Sequence, residues 1–278
     1  MLKKRILSAL ILLFIFLVLF SLKNPTFFLL LTFSVSAIVL YELAKILKLK
    51  RLDLVFYWIL SFMPIMFFYF LIAINKGFIG DFLVNFSIFM SFVSVIFWFA
   101  LAPIDIVYKK ISSNAKLKIF YGYFIVAPMA IVTALIFIQD KNILLMLFLM
   151  IWVSDIGAYF FGKRFGKNKL AKNISPGKTI EGAIGGFTSN IIVVFLLSYF
   201  GFSDLLFLLI FAIVITGLSI YGDIYQSFLK RQAKVKDSGT ILPGHGGFFD
   251  RLDSFCPSIP ISYLILIYYV SFLWEKSF

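Results

Sequence analysis

The sequence predicts an all-α integral membrane protein of about nine transmembrane helices, with a cytoplasm-facing polar cavity in the C-terminal half. Three observations predict it. The chain is 62% hydrophobic and only 14% charged, whereas soluble domains carry roughly 25% charged residues. Nine apolar runs, each near the ~20 residues that cross a ~30 Å hydrocarbon layer, take up nearly all of the 278 residues. The basic residues fall almost entirely in alternate loops.

The first run, about 6–22, follows Lys3, Lys4 and Arg5. It is longer than the apolar region of a signal peptide and ends in SLKNPT with no small-residue cleavage site, so a retained helix is expected. Runs at about 26–44, 54–74, 82–108 and 119–138 complete an N-terminal transmembrane region, residues 1–140. Glu42 and Asp105 sit at inner ends of these runs, with no partners at telling spacing. Runs at about 143–161, 180–201, 205–224 and 256–274 belong to a C-terminal catalytic region, residues 141–278. The one cysteine, Cys256, opens the last run and reads as a small core residue. GAIGG at 182–186 places small residues at helical spacing for close packing.

With the N-terminus inside, the inner loops near 3–5, 45–51, 109–118, 163–178 and 230–251 hold 22 of the 26 Lys and Arg. The outer side holds Lys23, Lys76, Lys141 and Lys276. Cytoplasmic loops are enriched in Lys and Arg, so the net charge of +13 reflects topology and calls for no nucleic acid. The expected place is the cell membrane, multi-pass, with N-terminus and active site cytoplasmic and the C-terminus outside.

Topology does not account for acids on the same side, since Asp and Glu contribute little to it. Asp155, Glu181, Asp223, Asp237, Asp250 and Asp253 all fall at inner ends or inner loops of the last four runs. Ionisable groups within apolar runs usually line a polar cavity. Acids and bases together suit a phosphate-bearing substrate with a divalent cation, which takes one or two carboxylates while the phosphates take Lys and Arg. In YGDIYQSFLKR, Asp223, Ser227 and Lys230/Arg231 follow at i+4 and i+7/i+8, one face of a helix. Asp250 and Asp253 share a face if FFDRLDS is helical. Between the YGDIYQSFLKR and FFDRLDS stretches, GTILPGHGG permits positive φ and close backbone approach, and successive N–H groups in such a turn can cradle an anion. SPGK at 175–178 places Ser175 and Lys178 before the seventh run, whose amino end favours anions. GKT at 177–179 is no P-loop: the position of the first glycine is Lys172, and no strand is evident. His245 lies in no zinc pattern.

The segment from Ser227 to Asp253, SFLKRQAKVKDSGTILPGHGGFFDRLD, closely resembles the signature of the phosphatidate cytidylyltransferases, or CDP-diacylglycerol synthases. WVSDIGAYFFGKRFG followed by SPGKTIEGAIGG, within Trp152 to Gly186, resembles the second conserved block. The resemblance implies transfer of CMP from CTP to phosphatidate in the inner leaflet, with a Mg²⁺ requirement, and suggests a homodimer. It implies Asp223 and Asp250 as metal ligands, catalytic together with Lys230 and Arg231. Substrate binding is expected of Lys178, Ser227, Lys236, Asp237, His245, Gly246, Gly247, Arg251 and Asp253. A transporter would carry its charges at the midplane and in related halves. A CDP-alcohol transferase would show D-G-x-x-A-R, which this sequence lacks. A membrane prenol kinase would not need the full C-terminal signature.

Overall fold

The computed structural model describes residues 14, 16–18, 20–22, 24–74, 80–111, 115–242 and 246–276. Among these, eight segments are long and apolar enough to cross a membrane, and they coincide with the second to ninth predicted runs. The first run lies mostly outside the described residues. The chain is an all-α, multi-pass membrane protein.

Helix α1 spans Thr26–Leu47 and stops where Lys48 turns left-handed (φ 52°). Helix α2 spans Arg51–Ile74. The fourth run is one continuous span made of α3 (Gly80–Ile96), a π-helical turn (Phe97–Leu101) and α4 (Ala102–Val107). Pro103 lacks an N–H and crowds the preceding turn, which accounts for the wider ladder just before it. After the short α5 (Ala115–Lys118) comes α6 (Tyr121–Gln139), which packs on α1, α2, α3 and the last helix. Nearly every residue of α6 is buried. A helix apolar all round belongs at the centre of a bundle, and this one is its hub.

Helix α7 (Lys141–Phe165) starts at Asp140, whose side chain accepts the Asn142 N–H at 2.8 Å, an N-cap. Helices α7 and α8 (Ile180–Tyr199) form the closest pair. A Cβ on Gly185 would strike the base of the Phe161 side chain, and one on Gly157 would meet Ser189. The small-residue reading of GAIGG is therefore borne out. Between the two helices the chain forms a hairpin of β1 (Lys169–Ala171) and β2 (Ser175–Thr179). This corrects the expectation that no strand adjoins GKT: short polar residues around a Pro-Gly pair carry little strand signal, and pairing within the loop satisfies their backbone. The P-loop stays excluded by Lys172.

Helix α9 runs Leu205–Ala233, well past the predicted end at 224. At ~1.5 Å per residue, Asp223 stands about 27 Å along it, near the far edge of a ~30 Å hydrocarbon layer. The last turns, with Lys230 and Arg231, continue beyond that edge. A short α10 (Phe249–Leu252) leads into α11 (Phe255–Lys276). Cys256 is buried in the core, as expected.

Candidate active site

The two flanks of the glycine-rich segment come back together. Leu242 and Gly246 form an antiparallel bridge, with the Leu242 N–H donating to the Gly246 carbonyl at 2.9 Å. Gly246 has φ +80°, a conformation that disfavours side chains. His245 lies outside the described residues.

The reversal brings Asp250 against α9. Its Oδ1 accepts from Lys230 Nζ at 2.7 Å and from Gln226 Nε2 at 3.2 Å. Its Oδ2 accepts the Ser238 N–H at 2.7 Å and the Gly247 N–H at 3.0 Å. One carboxylate thus ties both ends of the turn to the helix.

Asp223 lies one helical turn before Ser227, whose hydroxyl is 3.4 Å from Asp223 Oδ1, as the helical spacing predicts. Asp223 pairs with Lys178, delivered by β2. Asp253 and Asp155 line the same cavity, near enough for their charges to act on Lys178. Asp155 is oriented by Ser219 on α9, at 2.7 Å, and by Ser254 at 3.3 Å. Gly222 makes this convergence possible: a Cβ there would strike the Asp253 carbonyl and Pro257. Burial pulls the pKa of Lys178 down, but the surrounding Asp223, Asp155 and Asp253 carboxylates raise it more, and it ends above the ordinary value. The group is a lasting cation held among carboxylates.

That arrangement bears on a divalent ion. Among the described residues, no three acidic, histidine or cysteine side chains are placed to hold an ion by themselves. Mg²⁺ does not need such a cage; it is commonly held by one or two carboxylates plus water and substrate phosphates. Asp223, already paired with a cation and with Asp155 and Asp253 lining the same cavity, fits that requirement.

Part of this set lines one cavity of about 1190 Å³, while Ser227 and Lys230 stay outside its lining. Its polar part holds Lys178, Asp223, Asp250, Arg251 and Asp253, with Asp155, Lys163 and Ser175 beside them. Its apolar part is built by Phe28, Leu31 and Val35 of α1, Met129 and Ala130 of α6, and Phe148 and Trp152 of α7. Arg231, Lys236 and Asp237 are exposed and do not line it. Lys230 faces Asp250, and Gly246 and Gly247 shape the turn above it.

Two acids of the N-terminal half have partners that sequence reasoning missed. Glu42 is 1% exposed. It accepts from the Ser238 hydroxyl (2.7 Å), the Phe248 N–H (3.1 Å) and the Phe249 N–H (2.8 Å). Asp105 accepts the hydroxyls of Tyr121 and Tyr225, fastening the fourth span to α9. Both corrections have one cause: the partners lie far away in sequence and close in space. The usable signal was an acid inside an apolar run, which marks a functional site by default. Glu181, counted with the basin, instead receives the Lys167 and Asn168 N–H groups, holding the entry to the hairpin.

Residues 3–269 match the family model described as the Cytidylyltransferase family. The chain belongs to that family. It is accordingly a nucleotidyltransferase. Similar proteins include a phosphatidate cytidylyltransferase of Haemophilus influenzae, 28% identical over 279 residues, 94% of this chain and 96% of that protein. Another of the same name, from Staphylococcus saprophyticus, is 44% identical over 131 residues, 46% of this chain and 50% of that protein. A third, from Staphylococcus haemolyticus, is 46% identical over 122 residues, 43% of this chain and 47% of that protein. The family match spans both the apolar and the charged parts of the cavity.

Proposed function

We propose that the chain is a phosphatidate cytidylyltransferase, converting CTP and phosphatidate into CDP-diacylglycerol and pyrophosphate. One observation carries the reading: a single cavity joins an apolar wall on α1, α6 and α7 to a cluster of carboxylates and cations. A diacyl lipid phosphate needs the first, and a triphosphate with its cation needs the second. We also propose that residues 1–140 chiefly supply the lipid wall and residues 141–278 the reacting groups.

The nucleophile is a phosphate oxygen of phosphatidate, largely ionised near pH 7 because the second pKa of such esters is about 6. It attacks the α-phosphorus of CTP; the new P–O bond forms as the α–β anhydride bond breaks, and pyrophosphate leaves with the electron pair. No strong general base is needed. The task is to hold two anions together and to stabilise the leaving group. Asp223 and Asp250 would hold Mg²⁺, which neutralises charge on the phosphates and the leaving pyrophosphate. Each of these aspartates is paired with a lysine, Asp223 with Lys178 and Asp250 with Lys230. Both lysines then turn to substrate phosphates. Arg251 and Arg231 add positive charge at the mouth, with Lys236. Ser227 and Asp253 orient the Asp223 side, and the turn carrying Gly246, Gly247 and His245 receives the triphosphate, with Asp237 outside the cavity.

The apolar wall is testable by itself. Val35→Trp should raise KM for long-chain phosphatidate by about tenfold and leave KM for CTP within about twofold. Steady-state kinetics with each substrate varied in turn checks this; equal effects on both substrates would remove Val35 from the lipid wall.

We place the protein in the cell membrane with the charged mouth in the cytoplasm, on the one-sided basic loops. In a Cys256→Ser background, cysteines placed at Asn168 and Ser277 should label from opposite sides of sealed vesicles. Labelling of both from one side would contradict nine spans. The resemblance also implies a homodimer, which cross-linking in native membranes would read. The activity itself is tested by incubating purified protein with phosphatidate and CTP and looking for CDP-diacylglycerol.

A further inference from the structure

We propose that Glu42 is a positioning residue for the reaction: from α1, it fixes the two flanks of the glycine-rich turn, Ser238 on one side and Phe248 and Phe249 on the other, where they receive the triphosphate. The inference rests on reading that turn as the nucleotide-binding segment. Glu42 touches no cavity-facing substrate group; it acts through the turn.

The geometry is specific to a carboxylate. Phe249 N–H and the Ser238 hydroxyl approach Glu42 Oε2, and Phe248 N–H approaches Oε1. Both oxygens therefore receive donors, and an amide could satisfy only one of the two positions. The Phe248 and Phe249 N–H groups stand at the start of α10, where a helix has no internal acceptors for them. Buried donors without acceptors are costly, so Glu42 supplies what the helix lacks. The Ser238 hydroxyl lies 2.7 Å from Glu42 Oε2 and 3.0 Å from Asp250 Oδ2. The turn is thus clamped at both ends by two carboxylates, one from each half of the chain. Gly239 and Gly247 pack against Glu42 so closely that a Cβ on either would run into its carboxylate. The glycines of this segment serve the approach of Glu42 as well as the approach of a ligand.

The test uses full-length protein in lipid nanodiscs. Glu42→Gln is compared with wild type by hydrogen exchange over the segment 236–252 and by kinetics with CTP and phosphatidate varied separately. Exchange at Phe248 and Phe249 should accelerate at least about tenfold, KM for CTP should rise at least about tenfold, and KM for phosphatidate should change by less than about twofold. Ser238→Ala should give a smaller loss in the same direction, and adding it to Glu42→Gln should cost little more, since groups acting as one unit are not additive. If Glu42→Gln does not fold, Ser238→Ala alone decides, through faster exchange with a CTP-selective loss. Unchanged exchange in the turn overturns the proposal, and so does faster exchange with unaltered CTP kinetics. Failure of the underlying reading shows elsewhere, as wild-type protein that transfers nothing from CTP.

Discussion

Asp223→Asn is expected to lower kcat by about a hundredfold or more at saturating Mg²⁺, with normal membrane insertion. The asparagine keeps the shape of the side chain and removes its charge. That charge now holds the Lys178 ammonium between α9 and β2, and in the reaction it would hold the divalent ion. Asp250→Asn should be comparably severe for a second reason. Its Oδ2 accepts two backbone N–H groups that shape the turn, and its Oδ1 meets Lys230. An amide can replace only part of that set. The double variant should be little worse than either single one, because both serve one unit. Hard, oxygen-seeking Mg²⁺ or Mn²⁺ should support activity and Ca²⁺ poorly, since Ca²⁺ prefers more ligands at longer distance. Near wild-type turnover in either single variant, or activity surviving thorough chelation, would contradict the metal assignment.

Lys178→Ala should reduce kcat/KM by at least tenfold, about 1.4 kcal/mol of transition-state stabilisation. The alternative is that Lys178 only contributes to topology. Its position argues against that: it is partly buried, inside the cavity, paired with Asp223 and near enough to Asp155 and Asp253 for their charges to act on it. A residue serving topology alone would be at home on the exposed tip of the hairpin with Lys172. Steady-state kinetics of the variant, with insertion checked by protease protection, separates the two. Near-normal activity would assign Lys178 to topology.

The legible part of this protein follows from periodicity and length. Spans read directly from apolar runs because the bilayer sets their size, and the Asp223–Ser227–Lys230 face reads from helical repeat because α9 continues past the membrane edge. The close backbone approach at Gly246 reads from the glycines of GTILPGHGG. What sequence could not supply was contact between distant segments. Glu42 meets Ser238 across 196 residues, and Tyr225 meets Asp105 across 120; no spacing rule spans such distances. The same limit explains why α1 read as plain membrane filler, although it provides part of the cavity wall and the clamp on the turn. The hairpin of β1 and β2 was hidden because its strands are short, contain a Pro-Gly pair and lack a β-branched apolar run. Asp250 was foreseen as an ion ligand, but its bonds to Ser238 and Gly247 depend on the fold of a turn that one sequence does not specify.

The most direct test of the central claim uses purified protein, phosphatidate, Mg²⁺ and CTP labelled in parallel at the α- or the γ-phosphate. The account predicts that α-label enters the chloroform-soluble fraction as CDP-diacylglycerol, that γ-label stays in water as pyrophosphate, and that the two products form in equal amounts. Transfer of γ-label into lipid would reveal a kinase, and no transfer of α-label to phosphatidate would contradict the account.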